Sequence, residues 1–324
     1  MKQILLSIRM LLRFKVYTFI NFTGLVFSIS CALIIARYIH QENNVDHFCP
    51  ELERTFLMTT VMDNGQTYLS GSIDPNKDPN YRNPLSDPCV EKVSQFMLFS
   101  DDYVIVDGRR FTVQAMATDS LYLDMMPHPV IAGKHTLNTP NDAIITYKLA
   151  KRLFKNENPI GKTLKVSTGD VVTVTGVIDE PSTKASVQFE IIISKNLRNS
   201  WSRMASELVQ LHRAEDVTEL NKKNQKPMEL LAYGKRPIFY QLTSLKDFYM
   251  NHNLLVYDKV LRGNRTSLSI LTIVAILLLL VGIFNYVNLH TVVMLRRARE
   301  FGIKKVFGAN GKTIFLQLYF ENFC

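Results

Sequence analysis

Cysteine is scarce in this chain, with four among 324 residues. Cys31 lies in an uncharged apolar stretch and Cys324 is the last residue, which leaves Cys49 and Cys89 in the long middle part. So few cysteines exclude a small domain held together by a framework of disulfides. A single disulfide between Cys49 and Cys89 stays open, because their spacing neither demands nor forbids it.

Charged residues are missing from two long stretches. Val16–Ala36 and Thr266–Leu295 contain no Asp, Glu, Lys or Arg. At about 1.5 Å per helical residue, each stretch covers a hydrocarbon core of roughly 30 Å. We therefore predict transmembrane helices at 16–38 and 266–295. The first is too long for the apolar core of a cleaved signal peptide, and no small-residue cleavage pattern precedes Gln41.

Basic residues crowd the outer flanks of both apolar stretches and contribute much of the net charge of +9. They are Lys2, Arg9, Arg13 and Lys15 before the first stretch, and Arg296, Arg297, Arg299, Lys304 and Lys305 after the second. The positive-inside rule then predicts a cytoplasmic N-terminus (1–15) and a cytoplasmic segment after the second helix (296–312). Topology and anionic headgroups account for this charge, so we do not predict a nucleic acid as a partner.

The long middle part, 39–265, is then an extracytoplasmic domain. Its clearest local signal is Asp107-Gly108 between two strand-like runs, which predicts a tight β-hairpin. Further strands are predicted around Arg54–Val61, Ala143–Ile145, Gly161–Val166, Val171–Ile178 and Pro237–Leu245, with helices after Ile145 and over Ser200–Leu231. Gly71–Pro88 is predicted to be a surface loop. The predicted fold is a membrane protein with two transmembrane α-helices flanking an exported α+β domain of two small lobes.

Motifs that would indicate chemistry are lacking. Gly308–Thr313 has two residues where a nucleotide-binding loop needs four between its glycine and the Gly-Lys pair, and Gly161-Lys162-Thr163 has Asn156 where that loop needs a glycine. The seven histidines form no metal-binding pair at helical spacing. We therefore predict no catalytic residue, metal site or cofactor, and no enzymatic activity in this chain.

Two amides stand out in the second apolar stretch. Asn285 and Asn288 are three residues apart on one face of the predicted helix. A polar amide in a membrane is costly unless it faces protein, so both are predicted helix–helix contacts. Their partner is either the first span of the same chain or a face shared with another subunit or span.

Taken together, several motifs make the chain resemble the FtsX-like, or MacB-like, permease subunits of ATP-binding cassette (ABC) transporters. The motifs that carry the resemblance are Phe284–Leu289, Arg296–Ala309, Tyr17–Leu25, Val45–Phe48, Asn158–Leu164 and Thr175–Ile178.

The resemblance implies a multi-pass permease of the inner (cytoplasmic) membrane that serves export. A separate cytoplasmic ABC ATPase hydrolyses ATP, and its closure moves the periplasmic domain. The residues expected to dock on that ATPase are Arg297, Arg299, Glu300, Ile303 and Lys304. The resemblance also implies a homodimer or a second permease chain.

One departure from the family concerns length. The permeases that the chain resembles have a core of four spans, whereas here residues 313–324 begin a third span at the end of the sequence. The expectation is a permease truncated after the second span, or a non-transporting remnant that binds the ATPase. The alternative from another class is a two-span membrane sensor. Nothing in the sequence selects a transported substrate.

Overall fold

The computed structural model describes residues 15–69, 83–197, 205–225, 228–229, 237–255, 260–308 and 310. The predicted cytoplasmic residues before Lys15, most of the predicted surface loop and the predicted start of a third span lie outside these ranges. The chain divides into two compact units, one formed by Met1–His40 with Arg265–Cys324 and the other by Gln41–Asn264.

The first unit contains two long helices, α1 (Lys15–Asn43) and α6 (Arg265–Val306). Their segments Phe19–Asn43 and Arg265–Asn288 are long and apolar enough to cross a membrane. Large apolar side chains are exposed along both helices, among them Phe19, Phe22, Ile34, Leu277 and Phe284. A soluble protein would bury such faces, so here they require lipid or another protein as their surroundings.

Both helices are longer than the predicted spans. Helix α1 continues beyond residue 38 to Asn43, and α6 runs without interruption past Leu295 into the predicted coupling segment. Backbone hydrogen bonding does not depend on the membrane, so a helix continues wherever its residues allow. The boundaries of the membrane at 16–38 and 266–295 stay a prediction.

The second unit is built on one mixed sheet, of 13 strands among the described residues. The strands are β1 (Thr55–Met62), β2 (Thr67–Leu69), β3 (Val90–Val106), β4 (Arg109–Thr118), β5 (Val130–Gly133), β6 (Asp142–Thr146), β7 (Thr163–Val166), β8 (Val171–Ile178), β9 (Ile191–Ser194), β10 (Ser206–Leu211), β11 (Met228–Glu229), β12 (Pro237–Ser244) and β13 (Leu254–Leu255). The main order is β11-β12-β1-β10-β3-β4-β9-β6-β8-β5; β7 pairs with β3 and β8, and β2 pairs with β1 and β13. The pairs β4–β9, β6–β8 and β2–β13 are parallel.

Shorter helices complete this unit: α2 (Leu121–Met125), α3 (Tyr147–Phe154), α4 (Asp216–Asn224) and α5 (Leu245–Phe248). A mixed sheet with helices makes the domain α+β, which confirms the predicted fold class.

The two faces of the sheet bury different cores. Successive residues of a strand point to opposite faces, so Ile144 joins one cluster while Ile145 joins another, and Leu208 and Val209 separate in the same way. One face carries a single cluster that extends across the sheet. The other face carries two separate clusters, one on the β6–β8–β9 half and one on the β1–β10–β12 half. One sheet carries both clusters, and the division of the domain into two lobes stays a prediction.

Strand β3 connects the two halves. The strand has 17 residues; it pairs with β10 at one end and with β7 at the other, and with β4 from Phe96 to Val106. The turn from β3 to β4 has Asp107 at φ 50° and Gly108 at φ 74°, and two successive positive φ angles are typical of a type I′ hairpin turn. The predicted hairpin is therefore confirmed.

The helix predicted over Ser200–Leu231 is wrong for much of its length. Ser206–Leu211 forms strand β10 between β1 and β3, and every one of its residues is buried. Helix α4 covers only Asp216–Asn224. A strand that is covered on both faces shows no alternation of polar and apolar residues, so periodicity gave no sign of it.

Candidate functional site

The predicted helix–helix contact residues lie on α6 in different surroundings. The Asn285 side-chain amide donates a hydrogen bond of 2.7 Å to the backbone carbonyl oxygen of Asn21 on α1. Gly24 makes room for it, because a Cβ on Gly24 would lie 2.7 Å from Asn285 Nδ2. Asn288 is exposed. The structure thus brings Asn285 to the first helix, and a contact between Asn288 and another chain stays a prediction.

Small residues line the same side of α1 at intervals of four. Gly24, Ser28 and Ala32 are spaced in this way, and Ser28 and Ala32 are buried. On α6, a Cβ added to Gly282 would lie 3.2 Å from the Cβ of Ser28. Such stripes let two membrane helices approach closely. Sequence reasoning missed this stripe, although its spacing is readable in the sequence.

The predicted coupling residues all lie in the last turns of α6. The side chain of Ile303 is 58% exposed. The side chains of Arg297, Arg299, Glu300 and Lys304 lie outside the described part of the chain, so the docking role of all five stays a prediction.

Further apolar side chains are exposed at this end of α6. Val306 and Phe307 are each 86% exposed and stand three and four residues after Ile303. Gly308, at φ 87°, follows the helix end, as is typical of a helix C-terminus. Residues three and four apart share a helix face, so these three side chains form an apolar patch within a basic segment. Sequence reasoning missed Val306 and Phe307, although the same spacing was visible.

A second arrangement, which sequence reasoning also missed, surrounds Glu42 in the last turn of α1. The Glu42 side chain is buried, and both of its carboxylate oxygens are bonded. Lys184 Nζ donates to Oε1 at 2.6 Å, and the Tyr249 hydroxyl donates to Oε2 at 2.5 Å. Lys184 Nζ also donates to the Tyr249 hydroxyl oxygen at 2.8 Å, which closes a triangle. We call these three residues the Glu42 triad.

Backbone hydrogen bonds reinforce this arrangement. After α1, the Asp46 N–H donates to the Lys184 carbonyl oxygen, and the Ser186 N–H donates to Asp46 Oδ1, both at 2.8 Å. Before α6, the Leu261 N–H donates to the Ser186 carbonyl oxygen and the Gly263 N–H to that of Tyr249, both at 2.9 Å. The segments that enter and leave the domain are therefore bonded to the same residues.

The electrostatics of this junction follow from burial. Asp46 has no exposed surface, which raises its pKa to about 6, although the hydrogen bonds from Ser186 and the nearby His47 oppose the shift. Burial alone would lower the pKa of Lys184, but its bonds to Glu42 and Tyr249 raise it, so Lys184 is charged at neutral pH.

An open cleft of about 780 Å³ lies beside the 179–190 loop. One wall holds His128, whose ring packs against the rings of Phe48 and Phe189 at centroid distances of 5.3 and 5.2 Å. Burial lowers the pKa of His128, so it is neutral at pH 7. Among the described residues, no cluster of three or more His, Cys, Asp or Glu side chains could hold a metal ion. Cys49 and Cys89 are both free thiols in this structure.

Comparison with known families gives matches over most of the chain. Residues 18–225 match the MacB-like periplasmic core domain, and residues 272–324 match the FtsX-like permease C-terminal domain.

Curated relatives that resemble the chain are export proteins. It is 26% identical over 181 residues to the probable syringafactin export ATP-binding/permease protein SyfD of Pseudomonas syringae pv. tomato, a match to 55% of this chain and 26% of that protein. It is 21% identical over 227 residues to the macrolide export ATP-binding/permease protein MacB of Pasteurella multocida, a match to 66% of this chain and 33% of that protein. The chain thus spans between about a quarter and a third of these relatives.

A solved structure also resembles the chain. The periplasmic region of MacB from Actinobacillus actinomycetemcomitans matches 58% of this chain and 88% of that one, with 16% identity and a TM-score of 0.39.

Proposed function

Because the chain belongs to the family of FtsX-like and MacB-like permeases, we propose that it is a permease subunit of an ABC exporter. In this proposal a separate cytoplasmic ATPase binds and hydrolyses ATP. Closure of that ATPase moves the periplasmic domain of the permease. The names of the relatives join ATP-binding and permease functions in one protein. A separate ATPase for this chain is therefore our proposal and is not taken from these relatives.

The observation that carries this proposal is the continuity of α6. The helix has 42 residues, which makes it about 60 Å long. It joins an apolar segment of membrane-spanning length to the predicted coupling segment without a break. A force applied to one end of a continuous helix reaches the other end as a tilt or a shift of the whole element.

The end of α6 has the properties of a docking surface. Ile303, Val306 and Phe307 expose an apolar patch, and Arg297, Arg299, Glu300 and Lys304 supply charges in the same segment. An apolar centre with a charged surround is typical of protein–protein interfaces. We propose that all seven residues dock on the ATPase, with Phe307 as the main apolar anchor.

The proposed location is the inner membrane, with both termini in the cytoplasm. The flanking basic residues support this orientation through the positive-inside rule. The exposed apolar sides of α1 and α6, together with Asn288, support a homodimer or a second permease chain as a further partner. The proposal names export and no particular substrate.

Co-purification with the cognate ATPase tests this function. The full chain in lipid nanodiscs should retain the ATPase, and Ile303→Ala combined with Phe307→Ala should weaken retention about tenfold or more, because truncating an anchor costs about 1.4 kcal/mol or more. Ile283→Ala is the matched control, since Ile283 is similarly exposed on the apolar part of the same helix.

Two outcomes would count against the proposal. If the double variant binds the ATPase as well as the wild type does, the docking surface is wrong. If the inserted wild-type chain does not retain the ATPase at all, the permease function is wrong and a two-span sensor gains support.

A further inference from the structure

The Glu42 triad connects the end of α1 to two distant parts of the sheet. Lys184 lies in the loop between β8 and β9, and Tyr249 directly follows α5, which follows β12. In the order of the sheet, β12 is next to one end and β8 is next to the other. The carboxylate of Glu42 is therefore bonded to two segments that connect to strands in different halves of the sheet.

The surroundings of the triad make this connection stiff. Glu42 is 5% exposed, and its carboxylate uses both oxygens in bonds to Lys184 and Tyr249. Removing one member of a buried ion pair leaves an uncompensated charge, which is costly, so the three groups are expected to stay together during any motion. Charge-assisted hydrogen bonds of this kind are also shorter and stronger than neutral ones.

The segment that precedes α6 is bonded to the same residues. Gly263 donates to the Tyr249 carbonyl oxygen, and a Cβ on Gly263 would lie 2.5 Å from a Tyr249 ring atom, so the backbone there is in close contact with Tyr249. Arg262 donates to the Phe248 carbonyl oxygen at 2.7 Å, and its guanidinium lies 4.8 Å from the centroid of the Phe248 ring. Both segments that connect the domain to the long helices are thus held at one place.

From this geometry we propose that Glu42, Lys184 and Tyr249 are positioning residues that transmit movement of α1 to both halves of the periplasmic sheet. The inference rests on the proposed function, because it assumes that an ATPase moves the helices. In physical terms, a displacement of the last turn of α1 displaces the Lys184 loop and the Tyr249 segment together. The two halves share one core cluster on one face of the sheet and have separate clusters on the other, so the proposed movement reaches both halves of one packed sheet.

The test measures hydrogen exchange of the full chain with its ATPase in lipid nanodiscs, with and without a slowly hydrolysed ATP analogue. In the wild type the analogue should change exchange in the Lys184 loop and in the Tyr249 segment. Tyr249→Phe, which removes one hydroxyl group, and Lys184→Met should abolish this nucleotide-dependent change. Lys148→Met is the matched control, because it breaks the exposed Lys148–Glu180 ion pair in the same domain and should leave the change intact.

Further measurements separate transmission from folding and from docking. Exchange without nucleotide should show an intact sheet in each variant, and ATPase retention should equal that of the wild type. If Tyr249→Phe and Lys184→Met keep the full nucleotide-dependent change, the inference is overturned while the proposed function stands. If the wild type retains no ATPase, the proposed function fails and this inference fails with it.

Discussion

Asp46 is a fully buried acid in a left-handed backbone conformation, at φ 62°. Asp and Asn tolerate this conformation better than most residues with a Cβ. The carboxylate accepts a hydrogen bond from the Ser186 N–H at Oδ1, while its other oxygen is buried without a partner. Desolvation of a half-satisfied carboxylate favours the protonated form, so this residue makes the stability of the domain sensitive to pH.

The pH dependence has a definite sign. Burial raises the pKa of Asp46 from its ordinary 3.8 to about 6, so the folded chain binds this proton more tightly than the unfolded chain does. The contribution to the free energy of unfolding is therefore fully present below about pH 4 and is lost as the pH rises to about 6. Two pKa units correspond to about 3 kcal/mol.

Asp46→Asn should remove this pH dependence of the free energy of unfolding. Asparagine keeps an oxygen that accepts the hydrogen bond from the Ser186 N–H, and its side chain cannot ionise. Denaturant unfolding of both proteins between about pH 4 and about pH 7 gives the difference in their free energies of unfolding. As the pH rises, the wild type should lose about 3 kcal/mol of stability relative to the variant. A difference that stays constant over this interval would contradict a titrating Asp46.

Gly24→Ala should weaken the pairing of α1 with α6. Its Cβ would lie 2.7 Å from Asn285 Nδ2, so the amide must move and its bond to the Asn21 carbonyl is lost. We expect a loss of about 1 kcal/mol in the unfolding of the chain in mixed micelles, a typical value for such a bond in a membrane.

Gly302→Ala is the control for this substitution. Gly302 is also helical, but a Cβ there meets nothing within 4 Å. Alanine is the better helix former, so this variant should be neutral or more stable by up to about 1 kcal/mol. Equal destabilisation by both substitutions would show that Gly24 has no special role in packing.

Close approach of the backbones also requires glycine between strands β5 and β8. They approach each other so closely that a Cβ on Gly176 would lie 1.9 Å from the Lys134 carbonyl oxygen, and one on Gly133 would lie 2.2 Å from that of Thr175. Backbone atoms cannot move aside as a flexible side chain can. Glycine at both positions is therefore a condition for this pair of strands.

Gly176→Ala should destabilise the domain by about 3 kcal/mol, the upper part of the usual range for an overpacked site. Gly169→Ala is the matched control, because Gly169 has a positive φ of 93° but open space around it. It should cost only about 1 kcal/mol, from backbone strain alone. Thermal unfolding of the full chain measures both, and similar losses would contradict the clash between the strands.

For the whole molecule, the proposed orientation predicts which parts a protease can reach. In inverted inner-membrane vesicles, trypsin should cleave within 296–305, which is rich in Arg and Lys, and should spare the folded domain Gln41–Asn264. In spheroplasts, where the outer surface is accessible, the pattern should reverse. Cleavage of the domain in sealed inverted vesicles would place both termini on the other side.

Local patterns in the sequence predicted the elements that depend on nearby residues. The apolar helices, the Asp107-Gly108 hairpin and the alternating strands each carry their own signal. The Glu42 triad could not be predicted in this way, because Glu42 and Lys184 are 142 residues apart and no local pattern joins them. The burial of Asp46 and the fully covered strand β10 were missed for the same reason, since distant parts of the chain create both environments.

The order of strands in the sheet differs from their order in the chain, which affects folding during synthesis. Strand β1 lies between β10 and β12, and Thr55 at its start pairs with Gln210. A ribosome makes β1 early, and the chain must grow past residue 244 before both of these neighbours exist. Until then β1 has β2 beside its second half but lacks one or both of β10 and β12, whose apolar residues pack with Phe56 and Met58. The core of this half of the domain can therefore be completed only after residue 244 has been made.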